Sequence, residues 1–207
     1  MTRVKVCAIT RPEDAQLAVE LGAWAIGFIL WPGSPRYVDP ALAAGIARLV
    51  RRNVQLVGVF VNQPLDEIAF AADEIGLTHV QLHGDEGPSF CAAAGQRTGA
   101  RVIKALRVRS RADVVAGERY HTDLHLLDGP GNGKTWDWGL ISARRTRTPL
   151  VVAGGLTPDN VAEAIEATRP WAVDVASGVE REPGVKDPEL VRAFVTAVQH
   201  APAGARA

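Results

Sequence analysis

The chain has 207 residues, of which 47% are hydrophobic and 22% are charged, a composition typical of a globular protein with a substantial core. Lys plus Arg equals Asp plus Glu at 23 each, so no overall basic excess favours nucleic acid or an anionic membrane surface as a partner. We therefore expect a small-molecule ligand, no nucleic acid or membrane partner, and any anion site to be built locally.

The two cysteines, Cys7 and Cys91, are too few for a disulfide framework in a chain of this length. No N-terminal apolar run has the flanks of a signal peptide, and no apolar stretch reaches the ~20 residues that span a bilayer. The sequence therefore predicts a cytoplasmic protein with reduced thiols. The small residues at 201–207 are expected to fray, which leaves residues 1–200 as the predicted folded domain.

Short apolar runs alternate with stretches of helical period along the whole chain. The predicted strands occupy residues 3–10, 24–30, 54–60, 78–82, 101–108, 123–127, 150–153 and 171–175. The predicted helices occupy residues 11–22, 40–50, 64–75, 86–98, 111–116, 136–144, 158–167 and 187–198. Proline near several helix starts and continuous apolar strands such as WAIGFIL (24–30) favour parallel strands joined by helical crossovers.

Eight strands, each followed by a helical crossover, predict an α/β fold of the (β/α)8 TIM barrel type, as a minimal single domain. The length argues against it, since such barrels typically have ~250 residues. The alternative is an open doubly wound sheet, which usually has fewer strands and a glycine fingerprint after the first one. That position holds ITRPED (9–14) here, so we favour the barrel.

Cys7 lies near the C-terminal end of the first strand, which is where barrel enzymes place their chemistry. Taken alone, it is more simply a core thiol, because free cysteine is among the most buried residue types. A role as base needs support, since an ordinary thiol with a pKa of ~8.5 is barely ionised at neutral pH. Lys5 lies two residues earlier on the same strand face, and we expect its ammonium to favour the thiolate.

Asp128 ends the sixth strand, directly before Gly129. A loop-capping carboxylate and a general acid facing Cys7 across the barrel mouth are equally good interpretations from the residue alone. The loop GPGNGKT (129–135) is not a Walker A motif, because Asp128 stands where that motif needs its first glycine. It is expected to be a flexible loop that could also fold over a substrate as a lid.

Two loops of small residues follow the seventh and eighth strands, in VVAGGLTPDN (151–160) and VDVASG (173–178). Backbone amides in such loops bind anions without any net charge, and this is the recurrent phosphate position of barrel enzymes. Arg36, in SPRY after the second strand, could grip a carboxylate, although a loop arginine is usually just solvated. Gln81 and His83 end the fourth strand on one face and are as easily packing residues as catalytic ones.

Six segments in order resemble the phosphoribosylanthranilate isomerase family of tryptophan biosynthesis. They are KVCAIT (5–10), SPRYV (34–38), VQLHGDE (80–86), LLDGPGNGKTWDW (126–138), VVAGGLTPDNV (151–161) and VDVASGVEREPGVKD (173–187). The resemblance implies a minimal TIM barrel without cofactor or metal, which removes the objection of length. It also implies an Amadori rearrangement of N-(5-phosphoribosyl)anthranilate.

The resemblance further implies a role for each predicted site residue. Asp128 would protonate the ribose ring oxygen, Cys7 would take the proton from the sugar C2, and Arg36 would hold the anthranilate carboxylate. Lys5, Gln81 and His83 are the other expected substrate-binding residues. The expected phosphate-binding residues are Gly154, Gly155, Asp174, Ala176, Ser177 and Gly178.

Two residues depart from the family pattern. Ala8 stands where the family usually has glycine, and a positive φ there would cost alanine roughly 1 kcal/mol. Ala176 stands where serine is usual. The alternatives are a histidine-pathway or bifunctional phosphoribosyl isomerase, whose base after the first strand is typically aspartate, and a non-catalytic barrel that binds a phosphorylated ligand. Cys7 argues against the first, and the joint presence of Cys7, Asp128 and Arg36 argues against the second.

Overall fold

The computed structural model describes residues 1–129 and 135–202. Eight parallel strands close into a barrel in chain order, with the eighth strand paired to the first. The strands are β1 (Arg3–Val6), β2 (Ala25–Ile29), β3 (Gln55–Phe60), β4 (His79–Leu82), β5 (Arg101–Arg107), β6 (Leu124–Asp128), β7 (Leu150–Val152) and β8 (Ala172–Val175). The predicted (β/α)8 TIM barrel is thereby confirmed.

Helices surround the barrel. They are α1 (Pro12–Glu20), α2 (Pro40–Val50), α3 (Leu65–Ile75), α4 (Pro88–Thr98), α5 (Arg111–Ala116), α6 (Val161–Thr168) and α7 (Pro188–His200), with three short 3-10 helices at Gly117–Arg119, Trp138–Ala143 and Ser177–Val179. Within residues 1–129 and 135–202, proline begins four of the seven α-helices, because its missing N–H costs nothing there. Within the described residues, no helix is long and apolar enough to cross a membrane.

Three predicted elements have different bounds in the structure. The first strand stops at Val6 instead of continuing to residue 10, because Ala8 has a φ of 62° and turns the chain. The crossover predicted at 136–144 is only a 3-10 helix, Trp138–Ala143. Helix α6 begins at Val161, after a turn in which the Asn160 side chain accepts from the Thr157 N–H. Residues 130–134 of the predicted lid and residues 203–207 of the predicted tail lie outside the described residues.

A short antiparallel hairpin after β8 is missing from the sequence prediction. Its strands are β9 (Glu180–Glu182) and β10 (Val185–Lys186). They are too short and too polar for a strand pattern, but the Pro183-Gly184 turn was a usable signal, and Gly184 has the positive φ, 81°, that such a turn requires. The hairpin brings Glu180 and Lys186 to the barrel mouth.

The core has two layers. Small and branched side chains fill the barrel interior, namely Ala25, Val57, Ile103, Ala105, Leu124, Leu126, Val151, Ala153 and Ala172. A larger apolar layer, which includes Cys91, lies between the sheet and the helices. At the N-terminal end, Trp24 packs edge-on against Trp171 and His79. Burial lowers the pKa of His79 to about 4, so this histidine is neutral at physiological pH.

Candidate active site

A cavity of about 500 Å³ opens at the C-terminal ends of the strands. Every predicted site residue except Lys5 lines it, namely Cys7, Arg36, Gln81, His83, Asp128, Gly154, Gly155, Asp174, Ala176, Ser177 and Gly178. Ile29, Val59, Ala153, Leu156 and Val175 complete the wall. In the part of the chain that the structure describes, no group of three or more His, Cys, Asp or Glu side chains is arranged to hold a metal ion.

Cys7 is fixed at the point where β1 gives way to its loop. Its N–H donates to the carbonyl of Val175 at 2.8 Å, which ties it to the end of β8. The next residue, Ala8, is fully buried and has a φ of 62°. The left-handed conformation considered from the sequence is therefore present, and alanine carries a strain of roughly 1 kcal/mol there.

Lys5 lies behind the cavity wall and not on it. The side chain is fully buried, and Nζ donates to Asp174 Oδ1 at 2.8 Å. The space for it comes from Gly27 on β2, where an added Cβ would lie 2.7 Å from Cys7 Sγ and 3.1 Å from Lys5 Nζ. The structure thus places Lys5 beneath the thiol and off the cavity wall, where it pairs with Asp174.

The electrostatics of this pair differ from the simple expectation. Burial raises the pKa of the Cys7 thiol, and the ammonium of Lys5 opposes that rise without cancelling it. Burial disfavours the Lys5 ammonium as well, but the attraction of Asp174 and Cys7 outweighs it and raises the pKa of Lys5. The resting group is therefore a neutral thiol beside a firmly charged ammonium. A thiolate formed there is a strong base, because a raised pKa means high proton affinity.

Asp128 belongs to a short hydrogen-bonded chain on the opposite side of the cavity. Oδ2 of Asp128 lies 3.2 Å from His83 Nε2, and His83 Nδ1 lies 3.0 Å from the amide nitrogen of Gln81. With the Gln81 amide in this orientation, its nitrogen donates to Nδ1, which places a proton of His83 on Nε2, facing Asp128. His83 and Gln81 therefore orient the carboxyl of Asp128 as well as lining the cavity.

The loops after β7 and β8 pack against each other through their glycines. A Cβ on Gly178 would overlap the carbonyl of Leu156, and one on Gly154 would lie 2.8 Å from Asp128 Oδ1. Gly154 and Gly155 also have positive φ values of 88° and 66°. Among the described residues, the N–H groups of Gly154 and Gly155 donate no hydrogen bond. The first N–H groups of the 3-10 helix Ser177–Val179 are also expected to lack a partner within the helix.

Two of the predicted phosphate-binding residues have other partners in the structure. The carboxylate of Asp174 pairs with Lys5, and the carbonyl of Ala176 accepts from Lys186 Nζ at 3.2 Å. Lys5 compensates the charge of Asp174, which otherwise would repel an anion. Among the described residues, the N–H groups of Gly154 and Gly155 therefore remain without a hydrogen-bond partner at the cavity.

Arg36 reaches the cavity from the loop after β2. Its Nε donates to Glu180 Oε2 at 2.8 Å, and Glu180 Oε1 accepts from Lys186 Nζ at 2.9 Å. Burial lowers the pKa of Lys186 against the attraction of Glu180. Sequence analysis overlooked Glu180 and Lys186, although the turn between them was recognisable.

Comparison with known proteins decides the family. A family model described as N-(5'-phosphoribosyl)anthranilate isomerase matches residues 4–197. This chain belongs to the phosphoribosylanthranilate isomerase family. An N-(5'-phosphoribosyl)anthranilate isomerase of Citrifermentans bemidjiense is 46% identical over 201 residues, which are 94% of this chain and 96% of the relative.

Solved structures of the family have the same fold. The phosphoribosylanthranilate isomerase of Thermotoga maritima superposes with a TM-score of 0.89 at 41% identity, covering 96% of this chain and 99% of that one. A second structure of such an isomerase, in complex with reduced 1-(o-carboxyphenylamino)-1-deoxyribulose 5-phosphate, has a TM-score of 0.87 at 40% identity with the same coverage. The family resemblance drawn from the six sequence segments is confirmed.

Proposed function

We propose that this chain isomerises N-(5'-phosphoribosyl)anthranilate to 1-(o-carboxyphenylamino)-1-deoxyribulose 5-phosphate in tryptophan biosynthesis. The observation that carries the proposal is the joint placement of a carboxyl group, a thiol, an arginine and two glycine-rich loops around one cavity. This set matches the acid, the base, the carboxylate and the phosphate that the reaction requires. The reaction is an internal aldose-to-ketose conversion, so it needs no external oxidant or reductant.

Ring opening is the first step, and we assign it to Asp128. The protonated carboxyl of Asp128 gives its proton to the ribose ring oxygen. The bond from C1 to that oxygen breaks, and the lone pair of the anthranilate nitrogen forms a double bond to C1. His83 supports this role, because its hydrogen bond to Asp128 Oδ2 leaves Oδ1 to carry and direct the proton.

Proton removal from C2 is the second step, and we assign it to Cys7. The electrons of the C2–H bond form a C1–C2 double bond and return the nitrogen to its neutral state, giving an enolamine. Tautomerisation then moves a proton to C1 and leaves a ketone at C2, so C1 is reduced and C2 is oxidised. The ammonium of Lys5 stabilises the thiolate that takes this proton. Cys7 then releases the proton to solvent and Asp128 takes one up, which restores the thiolate base and the carboxyl acid for the next turnover.

Substrate binding completes the assignment. The N–H groups of the loops after β7 and β8 hold the phosphate, and Arg36 holds the anthranilate carboxylate with two parallel N–H donors. The ligand is therefore a small phosphorylated molecule held at both ends across the barrel mouth. The compartment that we propose is the cytoplasm, as expected from the two-cysteine sequence.

The test is turnover by matched variants. Cys7→Ser and Asp128→Asn should each lower kcat by about 10²- to 10⁴-fold, the usual worth of a positioned acid or base, while circular dichroism stays parental. Cys91→Ala removes the other thiol, far from the cavity, and should keep parental kcat. Near-parental turnover by either site variant would contradict the acid and base assignment, and a parental chain that does not turn over the substrate would contradict the function itself.

The histidine-pathway aldosylamine should be assayed beside N-(5'-phosphoribosyl)anthranilate. This second substrate tests the alternative activity that the sequence leaves open. Cys7, instead of an aspartate after β1, favours a single activity on the anthranilate substrate. Comparable kcat/KM values for the two substrates would replace the proposal with a bifunctional isomerase.

A further inference from the structure

The hairpin of β9 and β10 carries a buried ionic bridge that connects both binding ends of the cavity. Arg36 Nε donates to Glu180 Oε2, Lys186 Nζ donates to Glu180 Oε1, and the same ammonium donates to the Ala176 carbonyl in the loop after β8. The Lys186 side chain is fully buried and that of Glu180 is 3% exposed, whereas that of Arg36 is 25% exposed. The buried Glu180, itself paired with the buried Lys186, thus holds the partly exposed guanidinium of Arg36 at the cavity wall.

The geometry at Arg36 determines which of its donors are used. Glu180 occupies the Nε side of the guanidinium, and within the described residues no acceptor is bonded to Nη1 or Nη2 of Arg36. Those two nitrogens form the fork that binds a carboxylate with two parallel hydrogen bonds. The contact with Glu180 therefore orients the guanidinium and leaves its fork open to the cavity.

The charges explain why Lys186 is part of the bridge. An Arg36–Glu180 pair alone is neutral and would attract a ligand carboxylate weakly. Lys186 compensates the charge of Glu180 at 2.9 Å, so the trio keeps a net charge of one positive unit, on the side where Arg36 faces the cavity. Their mutual pairing and the Ala176 carbonyl offset the desolvation penalty of burying Lys186 and Glu180.

We propose that Glu180 and Lys186 are positioning residues for carboxylate recognition: Glu180 fixes the fork of Arg36 toward the ligand, and Lys186 keeps that fork electrostatically attractive. This inference rests on the proposed function, since it assigns a mechanism to the carboxylate end of the same substrate. It predicts that both residues act on binding of the carboxylate. Changes at Glu180 should leave the proton transfers unchanged, whereas Lys186 also acts on them, because its ammonium opposes the rise that burial causes in the pKa of Cys7.

A cycle of two ligands and three variants tests it. The ligands are reduced 1-(o-carboxyphenylamino)-1-deoxyribulose 5-phosphate and its counterpart made from aniline, which lacks only the carboxylate. The variants are Glu180→Gln, Lys186→Met and, as a control, Glu182→Gln on the exposed end of the same strand. Calorimetry gives the ratio of the two dissociation constants for each protein. This ratio isolates the contribution of the carboxylate to binding.

We expect only Glu180→Gln and Lys186→Met to lose the preference for the carboxylated ligand. The parent and Glu182→Gln should favour the carboxylated ligand by about tenfold or more, and Glu180→Gln and Lys186→Met should lose most of that ratio, as expected for charge-assisted hydrogen bonds. The aniline-derived ligand should bind all four proteins alike. In turnover, Glu180→Gln should raise KM while kcat changes little. Lys186→Met should also raise KM, and its kcat at neutral pH should fall in addition, because the pKa of Cys7 rises when this ammonium is lost.

Three outcomes would overturn the proposal. A stronger preference for the carboxylate in Glu180→Gln would mean that Glu180 only competes with the ligand for Arg36. Equal weakening of both ligands would mean that the bridge only braces the hairpin and the phosphate loop, and an unchanged ratio in both variants would exclude the role outright. A parental chain that binds neither ligand would instead contradict the proposed function, so the two failures are distinguishable.

Discussion

Two of the buried lysine–carboxylate pairs at the mouth of the barrel have different surroundings. Lys5 pairs with Asp174 and Lys104 pairs with Glu86, both at 2.8 Å and both nearly excluded from solvent. The ammonium of Lys104 donates to three oxygens, those of Glu86, Gly84 and Leu82. The ammonium of Lys5 donates to one oxygen, on Asp174, and lies against the thiol of Cys7.

The difference lies in how many donors each ammonium has left. An ammonium has three N–H groups, and Lys104 uses all of them to hold the loop after β4. Glu86 completes that loop by accepting the N–H groups of Asn62 and Gly84. Burial acts against the Glu86 carboxylate, but the bonds from Lys104 and the backbone prevail and lower its pKa. One pair therefore braces the structure, and the other has donors available for the chemistry of Cys7.

The largest effect is expected from breaking the bracing pair. Lys104→Met leaves the Glu86 carboxylate buried without its partner and should lower the free energy of unfolding by about 3–5 kcal/mol. In the pH profile of kcat/KM, the limb that rises with pH should keep its parental position, because Lys104 does not support Cys7. Denaturant unfolding measures the free energy of unfolding, and steady-state kinetics measure the pH profile of kcat/KM.

The double variant Lys104→Met/Glu86→Gln serves as the control. It removes both charges, so it should recover part of the lost stability. A single variant that unfolds with the parental midpoint would contradict the bracing role of Lys104.

Breaking the other pair should affect the reaction more than the fold. In Lys5→Met the thiolate of Cys7 loses a neighbouring positive charge, which is worth about 1–3 pKa units at such distances. The base must be deprotonated to act, so activity rises with pH through its pKa, and a further rise in that pKa moves the limb to higher pH. At neutral pH kcat/KM should fall by about 10²-fold. A pH profile that coincides with that of the parent would refute the support assigned to Lys5.

Gly27→Ala tests the contact between thiol and ammonium without removing a charge. The new Cβ would lie 2.7 Å from Cys7 Sγ, so the sulfur must move away, and we expect a cost in stability of about 1–3 kcal/mol together with a lower kcat. Gly45→Ala in α2 is the matched control, since its Cβ meets nothing nearer than 3.8 Å and helix propensity favours alanine there. Equal kinetics of both variants and the parent would show that the separation of the two groups is not critical.

The smallest effect is expected at Ala8. Ala8→Gly relieves a left-handed alanine, worth roughly 1 kcal/mol, but it also makes the unfolded chain more flexible by about 0.4–1 kcal/mol. The free energy of unfolding should therefore rise only slightly or stay level. Ala92→Gly, on the exposed face of α4, should instead lose about 0.5–1 kcal/mol. If Ala8→Gly lost as much as Ala92→Gly, the strain at Ala8 would be disproved.

The sequence predicts the barrel because each unit of strand and helix has its own local pattern, with apolar strands and proline at helix starts. The cavity residues follow from the same pattern, since a barrel gathers its strand ends, so Cys7 and Asp128 could be placed together. The partners behind the wall could not be placed in this way. Whether Lys5 faces a ligand or Asp174 depends on packing at β8, and the contact between Arg36 and Glu180 joins residues from distant parts of the chain. The direction of the Cys7 pKa shift also depends on burial in three dimensions, which no local spacing reveals.

The most direct test is the titration of Cys7 itself, followed by its rate of alkylation as a function of pH in a Cys91→Ala background. Lys5→Met and Lys104→Met are compared with the parent at a temperature where all three are folded. Lys5→Met should move the thiol titration to higher pH, and Lys104→Met should leave it in place. Coincident titrations of Lys5→Met and the parent would contradict the claim that the buried ammonium beneath Cys7 stabilises its thiolate.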